Sequence, residues 1–309
     1  MFGSCFIENI GEGLKRNKFN ADVNPFGILY NPLSIGRSLD MLIGGRQFSE
    51  SDLFEHKGLY HSFSHHSSFS DVDSNAALQK INSRLKHASA ALTDTDILFI
   101  TFGTAYVYRE KEQQQIVSNC HKLPASRFDH YRLSVDAITG EWNRLLMKLR
   151  EINPKIQVIF TVSPIRHLKD GMHENQLSKS TLLLAVDELC AAYDNVHYFP
   201  SYEIVLDELR DYRFYADDMV HPSNSAVRYI WERFGETYFS DETNKIINEW
   251  EKISAALSHR PFNTQTADYK LFLKQTLLKL QTFADKYPYI YCANEITELE
   301  AKIKDLKFP

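Results

Sequence analysis

Four apolar positions, Phe6, Ile7, Ile10 and Leu14, recur at the three-to-four spacing of one helix face and predict a helix almost at the start of the chain. The small-residue turn Gly3-Ser4-Cys5 stands directly ahead of it, at the helix N-terminus. Farther along, the pattern changes. DILFITFG (Asp96 to Gly103) and KIQVIFTVSP (Lys155 to Pro164) are nearly continuous apolar, β-rich runs stopped by glycine and proline. Such runs predict buried parallel strands, because a half-exposed strand would alternate. VHYFPSYEI (Val196 to Ile204) is a third strand candidate, interrupted by Pro200. Helical patterns lie between them, in GEWNRLLMKLREINP around Trp142 to Ile152 and in STLLLAVDELCAAY around Leu182 to Tyr193. Strand, helix, strand, helix, strand at this spacing predicts a doubly wound parallel α/β sheet with helices on both faces. In such sheets the chemistry collects beyond the carboxyl ends of the strands. That rule brings Gly3-Ser4-Cys5, Gly103-Thr104 and Ser163-Pro164 together.

After about Ser240 the strand signal stops. DETNKIINEWEKISAALSH, TADYKLFLKQTLLKLQTFADKY and ANEITELEAKIKDL predict three successive helices. The expected organisation is therefore an α/β domain over residues 1–240 and a helical appendage over 241–309 that packs on it, a lid being the minority alternative.

Composition narrows the function classes. With 309 residues, 43% of them apolar, the chain can bury a sizeable core. A net charge of −5 without a Lys/Arg run gives no footprint for nucleic acid or an anionic membrane. Cys5, Cys120, Cys190 and Cys292 are far apart and read as free thiols of a reducing compartment, so a cytoplasmic location is expected. Only Met1 and Phe2 precede the turn to supply the strand of a strand-turn-helix site, and an upstream segment would change that location. The loop HSFSHHSSFSDVDS, with His61, His65 and His66, lacks carboxylate or cysteine partners at ligand spacing and reads as solvated histidines rather than a metal site.

Two features carry chemistry. At a helix start, unpaired amides and the positive end of the macrodipole favour an anion, so Cys5 is expected to have a depressed pKa and to be a nucleophile. In YADDMVHPS, Asp218 and His221 are separated by two residues, which lets the carboxylate orient one imidazole nitrogen while the other faces a nucleophile; Asp217 offers the same chemistry one residue earlier. Pro222 and Ser223 suit the start of a following helix. Arg166 and His167, just past Pro164, are candidates to bind a carboxylate, a phosphate or a coenzyme A pyrophosphate, or else Arg166 pairs with the acidic residues of 207–211. Cys120 and His121 are adjacent and expected to point apart.

Asp-x-x-His-Pro late in the chain, a Gly-x-nucleophile turn at its start and a glycine after a central strand resemble the SGNH (GDSL-type) hydrolase arrangement. More closely, GSCF, NPFGILYNPLS (Asn24 to Ser34), TFGTAYVY (Thr101 to Tyr108), NCHK (Asn119 to Lys122), TVSPIRH (Thr161 to His167), YFPSYEI with DELRDYRFYADDMVHPS (Tyr198 to Ser223) and HRPF (His259 to Phe262) resemble the GSCFA-domain family, which is grouped with those hydrolases. Ile7 stands where that family usually has alanine. The resemblance implies a three-layer, flavodoxin-like sheet. Laid on the Gly-Asp-Ser turn of the wider class, Cys5 matches the catalytic serine and Ser4 the aspartate, with Ser4 a competing nucleophile. The wider class completes its oxyanion hole with Gly-x-Asn-Asp, whereas this chain has Gly103-Thr104-Ala105-Tyr106. The hole must then use amides near Cys5 and Gly103, with Thr104, Asn24 or Asn31 completing it. The implied activity is hydrolysis of an acyl ester, an O-acyl group on a carbohydrate, by Cys5 or Ser4 with His221 and Asp218 and without metal or cofactor. An acyl-coenzyme A-dependent O-acyltransferase acting on a sugar and a non-catalytic carbohydrate-binding protein are the competing readings.

Overall fold

The structure, a computed structural model, describes residues 1–306. In chain order its elements are β1 (Phe2–Gly3), α1 (Cys5–Arg16), α2 (Pro32–Ile43), β2 (Phe54–His56), β3 (Leu59–His61), α3 (Ser74–Leu92), β4 (Ile97–Phe102), β5 (Tyr106–Glu110), β6 (Gln115–Val117), β7 (Phe128–Arg132), α4 (Val135–Ile152), β8 (Gln157–Val162), α5 (Met172–Ala192), β9 (Val196–Tyr198), α6 (Ser201–Glu203), α7 (Asn224–Tyr238), α8 (Asp241–Leu257), α9 (Ala267–Lys286) and α10 (Ala293–Asp305). A π-helical turn, Ile204–Leu209, continues α6.

A parallel sheet in the order β1-β4-β8-β9 forms the centre of the α/β unit. Its register sets Gly3 beside Thr101, Thr101 beside Thr161 and Phe160 beside Tyr198. The continuous apolar runs have the expected cause: both faces are buried. Leu98, Ile100 and Phe102 of β4 and Val158, Phe160 and Val162 of β8 enter one core, while Phe99, Thr101, Ile159 and Thr161 are buried on the alternate positions. Into that core α4 directs Ile138, Trp142, Leu145 and Leu149, and α5 directs Leu182, Ala185, Val186 and Leu189. Trp142 is fully buried with its ring edge-on to Phe102 (5.3 Å) and Phe160 (5.0 Å), and its indole N–H donates to the Pro32 carbonyl.

The third expected strand is shorter than its sequence run. The Phe199 amide still donates to the Phe160 carbonyl, but Pro200 has no N–H to continue the ladder and Ser201 opens a helix. A second, antiparallel sheet (β6-β5-β7) and the β2–β3 hairpin stand outside the expected pattern. No helix among the described residues is long and apolar enough to cross a membrane.

Two compact units emerge. One comprises Met1–Gly11 and Asp22–Ile230; the other comprises Glu12–Ala21 and the chain from Trp231 on. The division thus falls inside α7 rather than at residue 240, and residues 12–21 join the helical unit. That unit has its own core of Trp250, Ile253, Leu280, Phe283, Tyr287 and Cys292. Positions 307–309 of the expected appendage lie outside the described residues.

The histidine loop is a correction. His61 and His65 are buried rather than solvated (7% and 0% exposed), and only His66 stays half-exposed. His65 stacks on Phe26 at 4.7 Å, and His121 lies against His61 at 4.4 Å. Among the described residues no group of three or more His, Cys, Asp or Glu converges as a metal site. Burial, with the neighbouring His121, pulls the His65 pKa down to about 3, and burial pulls His121 down to about 4. Both histidines are neutral in the fold but charge in the unfolded chain below about pH 6.5, so the unfolded state binds more protons there. Stability is complete above that pH and declines as pH falls toward 3, by about 1.4 kcal/mol per pH unit for each such histidine. Urea midpoints measured from pH 7 to pH 4 check this, and His65→Gln is expected to flatten the profile.

Candidate active site

The site grows from close packing at the first strand. Gly3 has φ +148°, and a Cβ there would come within 2.5 Å of the Thr101 carbonyl oxygen, so glycine alone allows β1 to lie this close to β4. Its amide donates to Asn24 Oδ1 (3.0 Å) and its carbonyl accepts from the Leu29 amide (3.0 Å). The segment 24–31 therefore fixes the turn. Asn24 serves this purpose, and its side chain also donates to Glu8.

The two candidate nucleophiles are separated by the helix start. Ser4 is fully buried; its hydroxyl accepts from the Phe6 amide (3.3 Å) and donates to Ser163 Oγ (3.2 Å). It is the N-cap of α1, committed to an orphan helix amide and turned into the protein. Cys5, the first helical residue, is half-buried with its thiol 3.7 Å from His221 Nε2. The expected low thiol pKa is corrected. Burial pushes the Cys5 thiol up, outweighing the amides of Cys5 and Phe6, and the Glu8 carboxylate adds to the rise. Cys5 thus needs a base to ionise.

The candidate base, His221, is held by a tight loop. Asp218 Oδ1 accepts from the Val220 and His221 amides (both 2.9 Å), and its Oδ2 accepts from His221 Nδ1 at 2.6 Å. The His221 amide, the Val220 amide and the imidazole together bring the Asp218 carboxyl down to about 2, so it is ionised throughout the physiological range. Donation from Nδ1–H leaves the Nε2 lone pair free to accept the Cys5 proton. Asp217 makes no bond to His221.

Arg166 supports this loop from the end of β8, and the expected pairing with the acidic residues of 207–211 is corrected. Its guanidinium donates to the Met219 carbonyl (3.1 Å), lies 4.0 Å over the Tyr215 ring, and forms no ion pair with residues 207–211; its amide donates to the Val220 carbonyl. His167 is held by a bond from its amide to Asn175 Oδ1 (2.9 Å). Burial, with the charges of Lys179 and His221, brings the His167 ring down to about 3, so it is neutral in the fold.

Of the expected oxyanion donors, those at Gly103, Thr104 and Asn31 are engaged within the fold. The amides of Gly103 and Thr104 both donate to the Tyr30 carbonyl (2.7 and 3.0 Å). The Thr104 hydroxyl bonds Ser178 and accepts from the Tyr106 amide. Asn31 caps α2, accepting from the Ser34 amide at 2.8 Å and donating to its hydroxyl. The Cys5 amide, at the helix start, has no intrahelical acceptor.

Sequence reasoning passed over Lys179 of α5. It is buried (1% exposed), and its ammonium donates to the carbonyls of Gly103 and Ser163, each at 2.6 Å. The available signal was its phase: Lys179 precedes Leu182 and Val186 on the buried stripe of the helix.

The relay is open to solvent, with the Asp218 and His221 side chains 50% and 47% exposed. Cavities of about 1450 and 530 Å³ are lined by no residue of this site. No curated protein and no solved structure matches the chain. A family model described as the GSCFA family matches residues 1–234, and one described as the GSCFA domain protein, C-terminal domain, matches residues 250–305. The first match covers the Cys5 turn, the strand ends and the Asp218–His221 loop alike, and the chain belongs to the GSCFA family.

Proposed function

We propose that the chain is an acyl-ester hydrolase of the SGNH type, acting on O-acyl groups of carbohydrates through Cys5, His221 and Asp218. The observation that carries this reading is the continuous relay from thiol to imidazole to carboxylate, at 3.7 and 2.6 Å. In the reaction the Cys5 proton passes to His221 Nε2 as sulfur bonds the ester carbonyl carbon. The carbonyl electron pair moves onto oxygen. When it returns, the bond to the leaving alkoxide breaks and the alkoxide takes the proton from His221. Water, activated by the same imidazole, then cleaves the thioester. Asp218 stays ionised and holds the tautomer. The open relay suits an acyl group carried on a larger molecule.

Brief incubation with p-nitrophenyl acetate, acid quench and trypsin is expected to leave an acetyl group on Cys5 in the peptide from Met1 to Lys15. An adduct on Ser4, or none, refutes this assignment.

A further inference from the structure

Ester attack places negative charge on the carbonyl oxygen, and the donors expected to receive it are occupied by Tyr30, Ser178 and Ser34. Tyr30 itself lies beside the same strand ends. Its neighbour Leu29 bonds Gly3, two residues before Cys5, while its own carbonyl binds Gly103 and Thr104 at the end of β4. It therefore occupies the crevice between the ends of the first two sheet strands. Its ring fills the space over Gly103, where a Cβ would lie 3.4 Å from Tyr30 Cδ1, and meets His167 edge-on at 5.4 Å. The ring is thus located by contacts along its body. Its hydroxyl has no hydrogen-bond partner among the described residues, and the side chain is 37% exposed.

We infer that Tyr30 is a further catalytic residue, whose hydroxyl donates a hydrogen bond to the oxyanion formed on Cys5, beside the Cys5 amide. Burial, reinforced by the Cys5 and Glu8 charges, raises the Tyr30 phenol, so it keeps the proton that it must donate. No proton is transferred from it; the hydrogen bond forms as the carbonyl lengthens and is released when the carbonyl returns. This inference rests on the acyl-transfer reading of the site.

Tyr30→Phe keeps the ring and deletes the donor. With p-nitrophenyl acetate it is expected to lower kcat about 100-fold with KM within about twofold. Binding of an alkyl trifluoromethyl ketone, which forms an oxyanion on Cys5, should weaken by a similar factor. Alkylation of Cys5 by iodoacetamide creates no oxyanion and should proceed at the wild-type rate. Unchanged turnover and ketone binding in Tyr30→Phe, with an active wild type, overturn the role of Tyr30 alone. An equal loss in alkylation also overturns it, by moving the effect to the thiol. A wild-type protein that neither turns over ester nor binds the ketone overturns both this inference and the acyl-transfer reading.

Discussion

Exchanging Cys5 for alanine is expected to abolish the proposed ester turnover, by about 10⁴-fold or more, whereas Ser4→Ala is expected to leave kcat within about threefold of wild type. The contrast follows from geometry. Removal of the thiol leaves His221 Nε2 with no proton to accept and the carbonyl with no attacking atom. Removal of the Ser4 hydroxyl deletes an N-cap that points away from the relay toward Ser163, and costs about 1 kcal/mol of stability. Cys5→Ser is the informative intermediate. It preserves the turn, but the alcohol is a weaker nucleophile than the thiol and is harder to ionise, so kcat falls about 10³-fold. The raised thiol pKa sharpens this expectation, since Cys5 depends on proton transfer to His221 rather than on a resident thiolate. Steady-state kinetics and urea unfolding on the three variants separate chemistry from stability. A Ser4→Ala protein that folds normally but is inactive would transfer the role to Ser4.

The strands at the centre of the fold were legible because burial on both faces writes a continuous apolar run. Leu98 to Phe102 and Val158 to Val162 satisfy that condition, and no local competitor obscures it. The edge strand was overextended, since the apolar character of Phe199 and Ile204 persists after the ladder ends and only Pro200 marks the break. The antiparallel sheet was missed because its strands carry mixed residues such as Tyr106, Arg109 and His130, whose partners are set by tertiary pairing. At the site, Asp218 and His221 were readable because one short loop contains both. What Gly103, Thr104, Asn31 and Arg166 do was not, because a polar side chain or amide has no pattern that reveals which acceptor the fold will bring to it. Segment 24–31 meets both β1 and β4, and that meeting commits the donors. The thiol illustrates the same limit: the helix start was visible, but the burial that opposes it was not.

Lys179→Met is expected to lower the unfolding free energy by about 3 kcal/mol. The lysine is an isolated cation in the core, without a carboxylate, and its burial lowers the pKa to about 7. Taken alone, such a charge opposes folding. It is retained because its ammonium satisfies the carbonyls of Gly103 and Ser163 just beyond β4 and β8, which no other donor among the described residues reaches. Methionine relieves the charge but leaves two buried acceptors unpaired, each costing about 1–3 kcal/mol, so the balance is a loss. The damage should be local before it is global. Ser163 also accepts from the Ser4 hydroxyl, so an unclamped strand end loosens the helix start that carries Cys5. Hydrogen exchange is therefore expected to rise first at Phe6 and Ile7, ahead of the amides of α4. Urea unfolding gives the magnitude, and exchange gives the place. A Lys179→Met protein as stable as wild type, with unchanged protection at Phe6, would show that the clamp is dispensable.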